Sequence, residues 1–178
     1  MRYKPLHPNT GILLEAWRRM ETDRSGKSGP PAAEHPSLLE NLFVIQRVSL
    51  STAPFRITGG GVAKRLGGED VDFMDMWRPQ DRILCAGLLE AIIDEEQPGI
   101  LQGIGETLTG NRMEVEIALA PLGKTAASRG RFLGLYQPVT SPMALKGQPV
   151  WRHQLTSLIM PEPKSPRMSH LRLVANNN

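Results

Sequence analysis

One short segment narrows the folds open to this chain more than any other. Met113, Val115, Ile117 and Leu119 alternate with Glu114 and Glu116. A strand has a side-chain period of two, so this run sends four apolar side chains to one face and two carboxylates to the other. Such a strand belongs to an antiparallel sheet with one buried face and one wet face. On that reading Glu114 and Glu116 are solvated outward residues and not a catalytic carboxylate pair.

The neighbouring segments build the sheet around it. Residues 100–108 and 131–139 read as strands on either side, the first joined by the turn Thr109-Gly110-Asn111, where Gly and Asn tolerate positive φ. Earlier, residues 43–50 and 55–58 are short strands rich in β-branched and aromatic residues. Between the two groups lie a short helix at 62–66, helical turns over 69–77 and a long helix at 79–96. In that helix Leu84, Leu88 and Ile92 form a stripe that Cys85, Leu89 and Ile93 widen. A leading helix spans residues 9–21, capped by Asn9 or Thr10 and carrying the stripe Leu13, Trp17 and Met20. The sum is a two-layer α+β domain: a five-stranded antiparallel sheet with helices on one face. Residues 1–35 form an N-terminal helix and a Gly/Pro-rich loop, 36–139 the domain, and 140–178 an extension. Within it, residues 150–159 read as one more extended or helical segment, and the part beyond 161 reads as disordered.

Charge is unevenly placed. The net charge is +3, yet residues 43–139 carry ten basic and twelve acidic side chains, while residues 140–178 carry five basic and one acidic. A mildly acidic core is a poor nucleic-acid groove, so no nucleic-acid partner is expected. Cys85 is the only cysteine and the four histidines are scattered, so neither a disulfide framework nor a metal site is expected. No run approaches the ~18 apolar residues of a membrane span. The start, Met1 to Pro5, has no apolar signal-peptide core, which makes a cytoplasmic location the expectation.

The element order is similar to that of a PAS domain. Several residues also resemble a bacterial family of short, stand-alone PAS proteins. These are Trp17 in the leading helix, His35-Pro36 before a Leu-rich turn, Phe43-Val44 opening the sheet and Phe55-Arg56-Ile57-Thr58-Gly59 as second strand. Leu66-Gly67 with Glu69, Phe73 and Trp77 resemble the helical linker, and Glu114, Glu116, Leu119, Pro121 and Leu122 with Arg131-Phe132-Leu133-Gly134 the closing hairpin. The likeness covers residues 8–139. It implies a sensory or interaction module in bacterial signal transduction, with no effector domain of its own, working through contacts with other proteins.

Other patterns have simpler explanations. Gly67-Gly68-Glu69-Asp70 is followed by Val71, not the Phe of a cyclase signature, and serves as a helix stop. Gly59-Gly60-Gly61 with Lys64 fits no phosphate-loop spacing. Cys85 lies on the long helix, away from the motif that carries a flavin-adduct cysteine, and reads as a small buried hydrophobe. Residues 79–96 hold no His for a haem, and no Gly-x-Ser-x-Gly elbow occurs. No catalytic residue and no cofactor are therefore expected. The leading reading is a sensor or adaptor. Its rivals are a small α+β enzyme with a cone-shaped pocket, which lacks a His within residues 36–152, and a ligand-free scaffold.

Two sites are expected. Leu66, Phe73, Trp77, Leu84 and Leu88 line a pocket for a small apolar ligand, or fill the core beside it, because they lie in the segments that must cover the sheet. Leu13, Trp17 and Met20 make a homodimer or signalling-partner contact, since a helix of about three turns is unstable alone and something must bury its stripe. The tail beyond residue 161 buries too little apolar area to offset its chain entropy. Truncation after Met160 should leave the melting temperature nearly unchanged; a loss of several degrees would show that the tail packs on the domain.

Overall fold

The computed structural model describes residues 5–22, 36–47, 55–58, 60–68, 71–123 and 130–163. Their order is α1 (Pro8–Thr22), β1 (Leu42–Arg47), β2 (Phe55–Thr58), α2 (Gly60–Arg65), α3 (Arg82–Glu95), β3 (Gly99–Glu106), β4 (Arg112–Pro121), β5 (Arg131–Pro138) and β6 (Arg152–Ile159). Short 3-10 turns occupy Pro36–Asn41, Pro79–Asp81 and Pro142–Leu145. Of the tail expected to be disordered beyond 161, residues 164–178 lie outside the described residues.

The strands form one antiparallel sheet in the order β2-β1-β5-β4-β3-β6. Its first five members are the predicted sheet. The segment at 150–159 supplies a sixth strand beside β3. The two strand groups meet where β1 pairs with β5. There Phe43 lies opposite Gly134, and a Cβ on Gly134 would sit 2.3 Å from the Phe43 ring. Only glycine leaves room for that ring.

The alternation at 113–119 behaves as read on its apolar side. Met113, Val115, Ile117 and Leu119 join Phe43, Ile45, Phe73, Trp77 and the buried side of α3 in the main core. The buried side of α3 is Cys85, Leu88, Leu89 and Ile92. Leu84 is a correction: it is 51% exposed. It lies in the first turn of α3, rotated away from the face that meets the sheet.

The other face is not simply wet. Leu13 of α1 packs with Leu38, Ile100, Ala118 and Leu135 in a second, smaller core. Trp17 is buried as well, and its indole N–H donates to the Pro121 carbonyl at 3.0 Å. The stripe expected to bind a partner is thus occupied within its own chain. Only Met20 stays partly open. The reason is area: a sheet with residues such as Ile100 and Leu135 on its outer face needs covering, and the nearest amphipathic helix supplies the cover.

Glu116 is the second correction. Glu114 is exposed as expected, but Glu116 is fully buried beneath the start of α1. One carboxylate oxygen accepts the Leu6 backbone N–H at 2.9 Å and the Gln102 amide at 3.1 Å; the other accepts the His7 N–H at 3.2 Å. A buried carboxylate is tolerable when its lone pairs are taken this way. The helix start also differs from the expected cap. His7 Nδ1 accepts the Asn9 backbone N–H, and the Asn9 side chain reaches across to Gln137 Oε1.

Glu116→Ala should therefore cost about 1–3 kcal/mol, since it leaves two backbone donors and an amide without their acceptor. It should also red-shift the emission of Trp17 as α1 loosens. Unchanged urea midpoints would show that α1 is held by apolar contact alone.

Candidate functional site

The described residues of the interior form a closed aromatic cluster. Phe73 and Trp77 meet edge to face with centroids 6.1 Å apart. Trp77 lies 5.4 Å from the His153 ring, and Tyr136 stands at 84° to that ring, 5.6 Å away. Two glycines of β3 make the space. A Cβ on Gly103 would lie 3.2 Å from the Trp77 ring and 2.7 Å from the Gln154 carbonyl oxygen; one on Gly105 would lie 3.4 Å from His153 Nε2.

The ends of this cluster are tied together. His153 Nδ1 faces the Met76 carbonyl at 3.3 Å, and Nε2 lies 2.8 Å from the Tyr136 hydroxyl. A carbonyl only accepts, so Nδ1 carries the proton and Nε2 accepts from the phenol. Burial pushes the His153 pKa down to about 4, against the smaller upward pull of the Met76 carbonyl. Burial likewise pushes the Tyr136 phenol well up. Both groups stay neutral and sealed from solvent. Cys85 is a protonated core thiol, its pKa raised to about 12 by burial and then by Asp81. Among the described residues no three metal-ligating side chains gather.

A groove of about 610 Å³ runs between the helical linker and the segment that leads into β6. Leu66, Val71 and Met76 of the linker side face Val150 and Trp151, with Leu108 of the β3–β4 turn at its end. Leu108 and Trp151 are 78% and 57% exposed. Asp72 holds the linker's turn by accepting the Met74 N–H at 2.7 Å. Asp75 at the rim pairs with Arg82 at 3.1 Å, a solvent-exposed ion pair worth little. The groove is a mostly apolar trough with a few polar groups, in the volume range of small-molecule sites.

Of the residues expected at a pocket, Leu66 alone lines this groove. Phe73, Trp77 and Leu88 fill the core beneath it, and Leu84 faces outward. What sequence reasoning missed is the opposite wall. Gln148 to Trp151 come from the extension, and their role depends on β6 pairing with β3. The one available signal was the alternation of Trp151, His153 and Leu155 with more polar residues in the sequence.

The sealed histidine has a measurable consequence. An unfolded chain binds its proton at an ordinary 6.5, whereas the fold resists it until about 4. Stability is therefore full above the upper value and falls as pH drops through that window, by about 3 kcal/mol in all. Urea midpoints measured across the window should show this slope, and His153→Gln should flatten it. An equal slope in both proteins would mean that other groups carry it.

The sequence pattern of the PAS domain family matches residues 13–137. Among solved structures, the RsLOV d2 variant aligns at 14% identity over 76% of this chain and 70% of that one, with a TM-score of 0.44. An RNA-binding light-oxygen-voltage receptor aligns at 16% identity over 60% of this chain and 32% of that one, with a TM-score of 0.41. No curated protein sequence matches the chain. The family match runs from α1 to the end of β5, more than two thirds of the chain, and the chain belongs to the PAS domain family.

Proposed function

We propose that this PAS domain is a signalling sensor that binds a small, neutral, apolar ligand in the lateral groove and reports it to a protein partner. It performs no chemistry of its own. The observation that supports this reading is the direct link from groove to sheet. Met76 lines the groove, and its carbonyl accepts both the backbone N–H of His153 at 2.7 Å and the ring proton from Nδ1. His153 in turn holds Tyr136 of β5. A ligand that displaces Met76 must shift His153, and with it a strand at the middle of the sheet. Interiors packed this tightly transmit displacement instead of absorbing it.

The enzyme alternative wanted a histidine at a pocket. His153 is 0% exposed and neutral, with both ring nitrogens engaged, a poor arrangement for a base that must reach a substrate. The scaffold alternative leaves Trp151 and Leu108 exposed around a trough without explaining why. Output goes to a partner by way of the sheet and α1. With Leu13 and Trp17 on the sheet, α1 offers outward the exposed Glu15, Arg18 and Arg19 and the half-buried Met20.

Trp151 is the natural reporter, because Trp17 and Trp77 are buried and Trp151 is not. With fluorotryptophan labelling and fluorine NMR, toluene and cyclohexanol should shift the Trp151 signal saturably and leave Trp17 in place. Val71→Trp should fill the groove and abolish the shift. If neither compound moves Trp151, or the shift survives Val71→Trp, the groove is not the ligand site.

A further inference from the structure

Arg65 is unlike the other arginines near the helical linker. Arg78 and Arg112 share Glu106, and Arg82 pairs with Asp75. Among the described residues, Arg65 Nη1 is buried and has no hydrogen-bond partner. A buried cationic donor without an acceptor is costly, and in a folded protein it signals a missing water or anion. The position of Arg65 is fixed from behind. It ends α2, and its carbonyl accepts the Val150 N–H at 2.8 Å, which ties it to the segment leading into β6.

Arg65 and Lys64 border two hollows. One, of about 410 Å³, is also lined by Glu40, whose carboxylate makes it a poor place for an anion. The other, of about 340 Å³, has no carboxylate in its lining. Its far wall is Met113, Pro142 and Leu145, with Gln148 beside them. Gln148 Oε1 accepts the Thr109 hydroxyl, and the amide N–H groups of that side chain are donors an anion can use. Lys146, exposed between the lining residues Leu145 and Gly147, adds a further positive charge nearby. Donors and cations on one wall and apolar carbon on the other describe a ligand with an anionic head and a short apolar body.

We propose that Arg65, with Lys64, holds the carboxylate or phosphate head of a small organic anion whose apolar part lies against Met113, Pro142 and Leu145. A planar guanidinium suits either head, because its paired N–H groups match two oxygens at once. This site adjoins the lateral groove but differs from it: it takes a charged ligand where the groove takes a neutral one, and its reporter is Arg65, which does not line the groove.

The test follows the Arg65 side-chain N–H resonance in the full chain during titration with butyrate, butyl phosphate and inorganic phosphate. Butyrate or butyl phosphate should shift it saturably, and the tighter of the two identifies the head. Inorganic phosphate should bind more weakly, since it leaves the apolar wall empty. Arg65→Gln should weaken the preferred probe by about tenfold or more, as expected when a charge-assisted bond is lost. Arg65→Lys should keep the charge but lose the fork and bind at an intermediate level. If Arg65→Gln fails to fold, the wild-type resonance still decides. The proposal is overturned if neither organic anion produces a saturable shift, or if inorganic phosphate binds as well as butyl phosphate. It is equally overturned if Glu69→Gln with Asp70→Asn moves the Arg65 resonance in the absence of any anion, because the guanidinium is then served from within the chain.

Discussion

Burial of β4 on both faces is the constraint on which this domain rests. Along most of its length successive residues are buried, although their side chains point in opposite directions. Its inner face needs the linker and α3, and its outer face needs α1. Each cover is a separate element, so each needs its own anchor. On the inner side the anchor is apolar, with Leu88, Leu89 and Ile92 of α3 in the main core. On the outer side it combines the small core around Leu13 with the polar contacts of Glu116 and the Trp17–Pro121 bond. Apolar contact supplies area, and the polar contacts fix where α1 starts, because a hydrogen bond has a direction that dispersion lacks.

The sequence made the inner layer legible because inner-layer signals are periodic. Period two at 113–119 and the helical stripe at 79–96 both appear in the structure, and with the turn residues between them they yield the order of the first five strands. The outer layer was less legible. The same alternation that places Val115 inside places Glu116 opposite, and a carboxylate on the far face reads as wet. Nothing local says that α1, more than a hundred residues earlier in the chain, will close over it. Leu84 failed for a related reason. A stripe read from sequence has no ends, whereas a helix meets its sheet over a finite length, and residues in its first turn can overhang. The groove was legible on one side only: Leu66 belongs to a segment that had to cover the sheet, while Val150 and Trp151 depend on a pairing that no short-range pattern specifies.

That pairing also settles how the sheet ends. A strand at a sheet edge presents unpaired N–H and C=O groups and invites association. Here β6 covers the edge of β3 and is covered in turn. Arg78 donates its N–H to the His153 carbonyl, His153 donates to Met76, and Asp81 takes the Leu155 N–H at 2.9 Å. The linker thus serves two surfaces at once, packing Phe73 and Trp77 into the core while Met76 to Asp81 close the edge. Neither job can move without the other.

This double duty accounts for the place of the groove and the Arg65 hollow at the side of the domain. A cavity under the middle of the sheet would have to displace Trp77, and Gly103 and Gly105 show how closely that region is filled. At the seam between linker and extension the chain is tied by backbone bonds, among them Val150 to Arg65, Trp151 to Glu106 and His153 to Met76. Local opening is least costly where few apolar contacts are lost. The groove and the Arg65 hollow both sit on this seam, and Gly67, Gln148 and Pro149 border both. Both hollows therefore border the same short stretch of chain, and that stretch leads through His153 to the sheet.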